Sequence, residues 1–227
     1  MRFIALDSST EWCSAALWQD GEIAAIERRA EHRHGELLLP MAERLLAQAG
    51  IGTQALDGVA FGAGPGAFTG LRIACGLAQG LAFARDLPVV GISSLEALAE
   101  CAAAPRVIAC LDARMREVYL GTFERHADGW RPLREAACLS PDDVAALPGG
   151  GDWVGAGNGF AAHGERLARR LGAALVAAWP ALRPGAYAIA RLAAPRFARG
   201  EGVDAARALP HYLRDKVALT RAERRSQ

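Results

Sequence analysis

The stretch with the most obvious capacity for chemistry is a glycine-rich loop that runs into an apolar helix, GAGPGAFTGLRIACGLAQGLAFA, at residues 62–84. Glycine lets the backbone take positive φ and approach a ligand closely, and the N-terminus of a helix attracts anions. Thr69 is a candidate cap for that helix. Neither a Walker A sequence nor G-x-G-x-x-G is present, and no lysine lies near the loop. Two interpretations therefore stay open, a phosphate site and a tight strand-to-helix turn that needs glycine for packing.

Two aspartates at matching places in a sequence repeat could bind a metal ion with its nucleotide. Residues 4–7 and 109–112 read IALD and ACLD, and the aspartates are 105 positions apart (112 − 7). Carboxylates bind Mg²⁺, but an aspartate after a strand also caps a turn, and both roles stay open. The candidate residues for a nucleotide or phosphate are Asp7, Ser8, Ser9, Gly64, Gly66, Thr69 and Asp112.

The histidines offer no clear catalytic or metal-binding set. His32 and His34 are two residues apart, which puts their rings on roughly opposite sides of a helix. With Glu31 and Glu36 they are predicted to be polar residues at a helix entry or on the rim of an interface. The other three histidines are scattered, and no serine or cysteine has a base near it in the sequence. No catalytic residue, metal ligand or cofactor is therefore predicted.

Two glycines inside the apolar helix indicate a close approach of another backbone. Gly76 and Gly80 each cost a helix about 1 kcal/mol relative to alanine, so a compensating contact is expected, either from a neighbouring helix of this chain or from another subunit. The residues assigned to the inner faces of this helix and of the one before it are Leu38, Ala42, Leu45, Leu71, Cys75 and Ala78. The residues predicted to stay exposed and to bind a partner are Leu37, Met41, Arg72, Ile73, Gly76, Leu77 and Gly80.

The composition fits a soluble globular protein and excludes several classes. The chain has 227 residues, 52% of them hydrophobic, with 26 basic and 25 acidic residues. A net charge of +1 does not hold a protein on nucleic acid by bulk charge. No apolar run approaches the ~18 residues needed to span a bilayer, so no membrane contact is predicted. The five cysteines include no C-x-x-C pair, which favours a reducing, cytoplasmic setting without disulfides or zinc.

The order of elements suggests a duplicated α/β fold. Alternating and continuous apolar runs predict three antiparallel strands, with a hairpin turn at Asp20 and Gly21, then helix, strand, helix, strand and helix. After Pro105 the series starts again. Two βββαβαβα halves, residues 1–104 and 105–227, describe the actin/hexokinase/Hsp70-like (ASKHA) fold. The C-terminal tail can pack back on the first half in this scheme.

Several motifs resemble the bacterial TsaB family, also called YeaZ. They are LDSST at residues 6–10, HRHGELLLP at 32–40, GAGPGAFTGLRIACGLAQGLA at 62–82, GISSLEALA at 91–99, LDARMREVYLGTF at 111–123 and PHYLRDKVA at 210–218. The resemblance spans almost the whole chain. It implies a partner of TsaD, the enzyme that transfers threonylcarbamoyl to the adenosine beside the anticodon of ANN-decoding tRNAs. The ATPase TsaE completes that complex, and tRNA is reached only through it. Separately, the exposed patch predicted on the two helices could serve a homodimer when the chain is alone, and monomer and homodimer both stay open.

One departure from the TsaD pattern bears on catalysis. TsaD-like proteins carry two histidines four residues apart after the strand that follows the glycine-loop helix, and such a pair can ligate a metal from one helical face. This chain has Ser94 and Leu98 at those positions. The resemblance therefore implies a non-catalytic scaffold. The alternatives are an ATP-binding ASKHA phosphotransferase and a glycoprotease-like metallopeptidase. The basic stretch after residue 212 could touch tRNA or be solvated.

Overall fold

The first half of the chain forms a mixed sheet of five strands in a computed structural model that describes residues 1–147 and 151–214. The strands are β1 (Arg2–Asp7), β2 (Trp12–Gln19), β3 (Glu22–Arg29), β4 (Gly58–Gly64) and β5 (Val89–Ser93), in the spatial order β3-β2-β1-β4-β5. Strand β1 is antiparallel to β2 and parallel to β4. The predicted hairpin turn is confirmed, with φ of 51° at Asp20 and 105° at Gly21. Most of the basic C-terminal stretch lies outside the described residues.

A second sheet repeats this arrangement. Its strands are β6 (Arg106–Arg114), β7 (Glu117–His126), β8 (Gly129–Leu139), β9 (Trp153–Ala156) and β10 (Leu175–Trp179), in the order β10-β9-β6-β7-β8. Strand β6 is antiparallel to β7 and parallel to β9, as β1 is to β2 and β4. The duplicated ASKHA-type fold predicted from the sequence is confirmed. Asp7 ends β1 and Asp112 lies near the end of β6, so the repeat places the two aspartates at equivalent strand ends.

The helices form three layers, two on the outer faces of the sheets and one between the sheets. They are α1 (His34–Gln48), α2 (Phe68–Phe83), α3 (Ser94–Cys101), α4 (Asn158–Leu171) and α5 (Ala186–Ala198). Helices α1 and α2 cover the outer face of the first sheet and α4 covers that of the second. Between β8 and β9 the described residues contain only a 3-10 turn at Pro141–Asp143, where the first half has α1. No helix among the described residues is long and apolar enough to cross a bilayer.

The middle layer joins the two halves by exchanging helices. Helix α3 follows the first sheet in sequence but packs against β6 and β7, whereas α5 follows the second sheet and packs against β1, β2 and β4. The central core lies here, with fully buried residues such as Phe3, Leu98 and Ile189 in one cluster. Separating the halves would expose this apolar surface to water, at a cost of about 1.5–3 kcal/mol for each large side chain.

One buried carboxylate ties four elements of the two halves together. Glu100 in α3 accepts hydrogen bonds from Arg125 in β7 (2.7 Å), Trp130 Nε1 in β8 (2.8 Å) and Arg191 in α5 (2.6 Å). Its side chain is only 7% exposed. Charge-assisted hydrogen bonds to a desolvated carboxylate are the stronger kind, so this contact fixes α3 and α5 relative to the second sheet.

The substitution Glu100→Ala tests that junction. It leaves two guanidinium groups and a buried indole N–H without their acceptor, and we expect a loss of about 2 kcal/mol in the free energy of unfolding. Urea denaturation measures it. The matched control is Glu201→Ala, because Glu201 pairs with Arg199 at the exposed surface and such pairs contribute little. Equal urea midpoints for the two variants would contradict the assignment.

Candidate functional site

A cleft of about 750 Å³ opens between the two halves. One wall comes from the β1–β2 turn, the segment before α1 and the loop before α2. The other comes from the end of β6, the turn that follows it and the first residue of α4, and residues 211–214 complete the rim. Of the candidate nucleotide residues, Ser9, Gly66 and Asp112 line this cleft. The other four do not: Asp7, Ser8 and Gly64 are buried behind it and Thr69 is exposed outside it.

Asp7 lies under the floor of the cleft and is 1% exposed. One carboxylate oxygen accepts hydrogen bonds from the hydroxyl (3.1 Å) and the backbone N–H (3.4 Å) of Ser9, while Oδ1 has no hydrogen-bond partner. Burial raises the pKa of Asp7 to about 7, with a smaller contribution from the charge of Glu27 and against the hydrogen bonds from Ser9. A proton therefore competes with any cation for this carboxylate at neutral pH.

Asp112 occupies the equivalent strand end but is already paired. Its Oδ1 accepts the backbone N–H of Arg114 (3.0 Å), its Oδ2 lies 3.3 Å from the Arg114 guanidinium, and Nε2 of His163 lies 3.7 Å from Oδ1. In both halves the aspartate thus accepts the N–H two residues further on, which is the geometry of a capped turn. This arrangement does not offer two free carboxylates to Mg²⁺, so the residues present do not fit the metal–nucleotide pair that other members of the fold hold.

The loop glycines are accounted for by close packing against oxygen atoms of the protein. A Cβ at each of four glycines would lie within 3 Å of such an oxygen: Gly62 and Asp7 Oδ1 (2.2 Å), Gly64 and His211 O (2.7 Å), Gly66 and Ser9 O (2.4 Å), Gly70 and Ser8 O (1.8 Å). A phosphate-binding loop turns N–H groups toward its ligand. Here carbonyl and carboxylate oxygens fill the space beside the glycines, so the glycines give a phosphate site no separate support.

The prediction that Thr69 caps α2 is wrong. The helix begins at Phe68 with Ala67 as its N-cap residue, no side chain caps it, and Thr69 is an exposed residue of the first turn. The physical reason is a tertiary hydrogen bond from Ala67 N–H to Ser9 O (2.8 Å). That bond holds Ala67 against the β1–β2 turn and starts the helix one residue earlier than the sequence suggests.

The histidines before α1 line the cleft without forming a metal site. Nε2 of His34 lies 2.8 Å from the carbonyl oxygen of Thr10, and His32 is exposed with φ of 71°. Among residues 1–147 and 151–214 no three His, Cys, Asp or Glu side chains are placed to hold a metal ion. Ser94 and Leu98, which the sequence resemblance sets against the histidine pair of TsaD-like proteins, are both fully buried in α3.

Sequence reasoning missed four residues, three that line the cleft and His163, which approaches the cleft residue Asp112. Asn158 Oδ1 accepts the backbone N–H of Asp112 (2.9 Å), and His163 approaches the same aspartate. Tyr212 and Arg214 reach the rim from the C-terminal segment. The G-N-G signal at residues 157–159, which follows β9 as the glycine loop follows β4, could have pointed to Asn158. No local signal marks the other three.

Helix α2 presents an open surface where the sequence predicted one. A Cβ at Gly76 or Gly80 would meet nothing within 4 Å, so no helix within residues 1–147 and 151–214 explains these glycines. Phe83, one turn further along the same stripe, is 80% exposed. Ile73 and Leu77 are half-buried beside it. The six residues assigned to the inner faces of α1 and α2 are all buried, as predicted.

The prediction that Met41 stays exposed is wrong. Its side chain is 6% exposed, and its sulfur lies 3.7 Å from the sulfur of Cys13 in β2. Met41 follows Leu38 by three residues and precedes Leu45 by four, so it shares their inner face once the helix forms. Leu37 is half-buried and Arg72 is exposed, so both remain accessible to a partner.

The substitution Asp7→Asn tests the buried carboxyl group. Aspartate in the unfolded chain ionises near pH 4, whereas Asp7 in the folded protein holds its proton to about pH 7. Because the folded state then binds more protons, the free energy of unfolding falls between about pH 4 and 7 and levels off above it.

We therefore expect Asp7→Asn to match the parent near pH 4 and to exceed it by about 2–4 kcal/mol at pH 8. Denaturant unfolding at a series of pH values measures this. Asp112→Asn is the control, because Asp112 is ion-paired with Arg114 and should gain nothing. The quantity compared is the stability of the parent protein minus that of Asp7→Asn. If this difference were larger at pH 8 than at pH 4.5, the assignment would be ruled out.

Comparison with known proteins agrees with the motifs and the fold. The family model of TsaD, tRNA N6-adenosine threonylcarbamoyltransferase, matches residues 26–220. The tRNA threonylcarbamoyladenosine biosynthesis protein TsaB of Escherichia coli is 38% identical over 96% of both chains, and that of Haemophilus influenzae is 35% identical over 96% of this chain and 95% of its own. The solved structure of YeaZ from Pseudomonas aeruginosa is 43% identical, with a TM-score of 0.87 over 93% of this chain and 99% of its own. On these grounds the chain belongs to the TsaB family of tRNA threonylcarbamoyladenosine biosynthesis proteins, a paralogue family of TsaD.

Proposed function

We propose that this protein is a non-catalytic subunit that binds TsaD and holds it competent to transfer threonylcarbamoyl to tRNA. The observation that carries the proposal is the open glycine stripe of α2, where Gly76 and Gly80 have empty space at their Cβ positions and Phe83 is 80% exposed. The two glycines thus lower the stability of helix α2, and no contact within the described chain at their Cβ positions offsets this loss. A helix from another chain supplies the missing contact.

The shape of this surface suits helix packing. Arg72, Gly76, Gly80 and Phe83 follow each other at spacings of four, four and three residues, which puts them on one side of the helix. Small residues let two helix backbones approach closely, and burying the exposed ring of Phe83 supplies about 1.5–3 kcal/mol. Helix α1 packs beside α2 and carries the half-buried Leu37, which we include in the surface.

The non-catalytic part of the proposal rests on the chemistry of the buried positions. Ser94 and Leu98 are sealed inside the protein where TsaD-like proteins carry histidines, and neither side chain can replace an imidazole ligand. Asp7 favours its protonated form up to about pH 7. Within the part of the chain that the structure describes, these three positions supply no metal ligand pair and no ionised base at neutral pH, which supports a non-catalytic role.

The wider assembly follows from the family. We propose that TsaE joins through the complex with TsaD, that tRNA is reached only through that complex, and that the assembly works in the cytoplasm. The same α1–α2 surface serves a homodimer when the chain is alone, because TsaD carries a related half. The homodimer and the complex with TsaD are then mutually exclusive.

The substitution Gly76→Leu tests the surface. Leucine favours the helix, and a Cβ at this position meets no described atom within 4 Å, so the monomer should keep its fold and its helical content, while the side chain blocks a partner helix. We expect binding to TsaD to weaken at least a hundredfold by calorimetry. The control is Gly164→Leu, at another helical glycine with open Cβ space, on α4. Native affinity of Gly76→Leu for TsaD would show that the surface is placed elsewhere.

A reconstituted modification assay tests the role. We expect TsaD, TsaE, tRNA and threonylcarbamoyl-AMP to give multiple turnovers only when this chain is added, and the chain alone to transfer nothing and to cleave no peptide. Equal turnover without the chain would refute the scaffold role. Activity of the isolated chain that is lost on chelation would instead favour an enzyme.

A further inference from the structure

The segment after α5, residues 203–214, crosses from the second half over the first and returns, and we call it the clasp. It starts beside β5, where Val203 and Val89 exchange two backbone hydrogen bonds (2.8 and 2.9 Å). It then lies along α2, where the carbonyl oxygen of Ala208 accepts from Cys75 Sγ (3.2 Å) and Gln79 Nε2 (2.9 Å). The clasp thus packs on the side of α2 next to the open glycine stripe.

The glycine loop receives the next part of the clasp. The N–H of His211 donates to the carbonyl oxygen of Ala63 (2.6 Å). Its own carbonyl oxygen lies 2.7 Å from the position that a Cβ at Gly64 would take. Gly64 also has φ of 107°, which disfavours any other residue. This glycine, a candidate phosphate residue from the sequence, has a structural reason in the close approach of the clasp.

The end of the clasp bonds to both walls of the cleft. On the first half, the ring of Tyr212 lies 5.5 Å from that of Phe68, and its hydroxyl accepts from Arg72 Nε (3.1 Å). On the second half, Arg214 pairs with Glu117 and approaches the carbonyl oxygen of Arg114 (3.5 Å). The Arg214 side chain is 16% exposed. Two residues of one segment therefore connect α2 with the turn between β6 and β7.

That turn has an unusual backbone. Arg114, Met115 and Arg116 have φ of 62°, 52° and 61° in succession. Non-glycine residues disfavour the left-handed region, and such strain persists only where surrounding contacts hold it. The contacts of Arg214 with Glu117 and with the Arg114 carbonyl supply such a hold from the other side of the cleft.

We infer that the clasp couples occupancy of the α2 surface to the position of the β6–β7 turn across the cleft. This inference rests on the proposed function for its partner-facing end. Arg72 belongs both to the open glycine stripe and to the contacts of the clasp. It lies one helical turn before Gly76 on that stripe, and it donates a hydrogen bond to the hydroxyl of Tyr212. A partner that covers Arg72 shifts the Arg72–Tyr212 contact, and Arg214, two residues on, carries the shift to Glu117. By linkage, a change at Glu117 alters partner affinity by the same factor.

A charge-swap experiment on the isolated chain tests the proposed coupling through the clasp without any partner. Hydrogen exchange is measured for peptides covering residues 62–71 and 112–120 in the parent, Arg214→Glu, Glu117→Arg and the double variant. We expect each single variant to speed exchange at least fivefold in both peptides. We expect the double variant to restore most of the protection, without the part that comes from the Arg214 bond to the Arg114 carbonyl. The control is Arg166→Glu, which breaks a similar pair with Asp142 away from the clasp and should leave both peptides unchanged. Faster exchange confined to residues 112–120, or no rescue by the swap, would overturn the coupling.

A binding experiment with TsaD then tests the partner-facing end. We expect Arg214→Glu to weaken binding about fivefold to tenfold, within the usual range of coupling between sites, and the double variant to restore it. Wild-type affinity of Arg214→Glu, together with loss of binding by Gly76→Leu, would overturn the coupling and leave the proposed function standing. A failure of the proposed function gives a different result, a native affinity of Gly76→Leu for TsaD. In that case the hydrogen-exchange experiment still tests the coupling through the clasp.

Discussion

The structure depends on a packing constraint: each sheet has an apolar face that a helix from the other half of the sequence covers. Helix α3 packs mainly on the second sheet while it keeps contacts with β4 and β5, and α5 returns to cover the first sheet. The two helices also pack on each other, and Nη2 of Arg196 donates to both carboxylate oxygens of Glu96, so neither half completes its core alone. The cleft therefore forms between walls whose relative position is set largely by this shared middle layer.

That constraint explains why the cleft can differ so much from a nucleotide site while the fold stays the same. The strand ends still bring two aspartates to equivalent positions. One of them is sealed under Ser9 and the other is held by Arg114. Oxygens from the β1–β2 turn and the C-terminal segment occupy the space beside the loop glycines. The scaffold supplies the geometry, and local packing decides what chemistry the geometry supports.

Much of the fold was predictable because the signals are local. The inner face of α2 follows from helical periodicity. The match between the segments that end at Asp7 and at Asp112 indicates the duplication. The errors came from contacts between distant parts of the chain. Thr69 lost its capping role to a bond between Ala67 and Ser9. Met41 is an exception, because its spacing from Leu38 and Leu45 already places it on the inner face, where it contacts Cys13. The bond from Arg72 to Tyr212 spans 140 positions, and no periodicity or spacing signals it.

The glycines of α2 also bear on how long a single copy of the protein survives. Gly76 and Gly80 weaken the middle of a helix that carries an exposed phenylalanine at its end. Local opening is easiest where few apolar contacts oppose it, so an uncovered copy presents this helix to proteases and to aggregation more readily than a covered one. Under the proposed function, degradation of the copies that are not bound to TsaD would adjust the amount of this protein to the amount of TsaD, without separate control of synthesis.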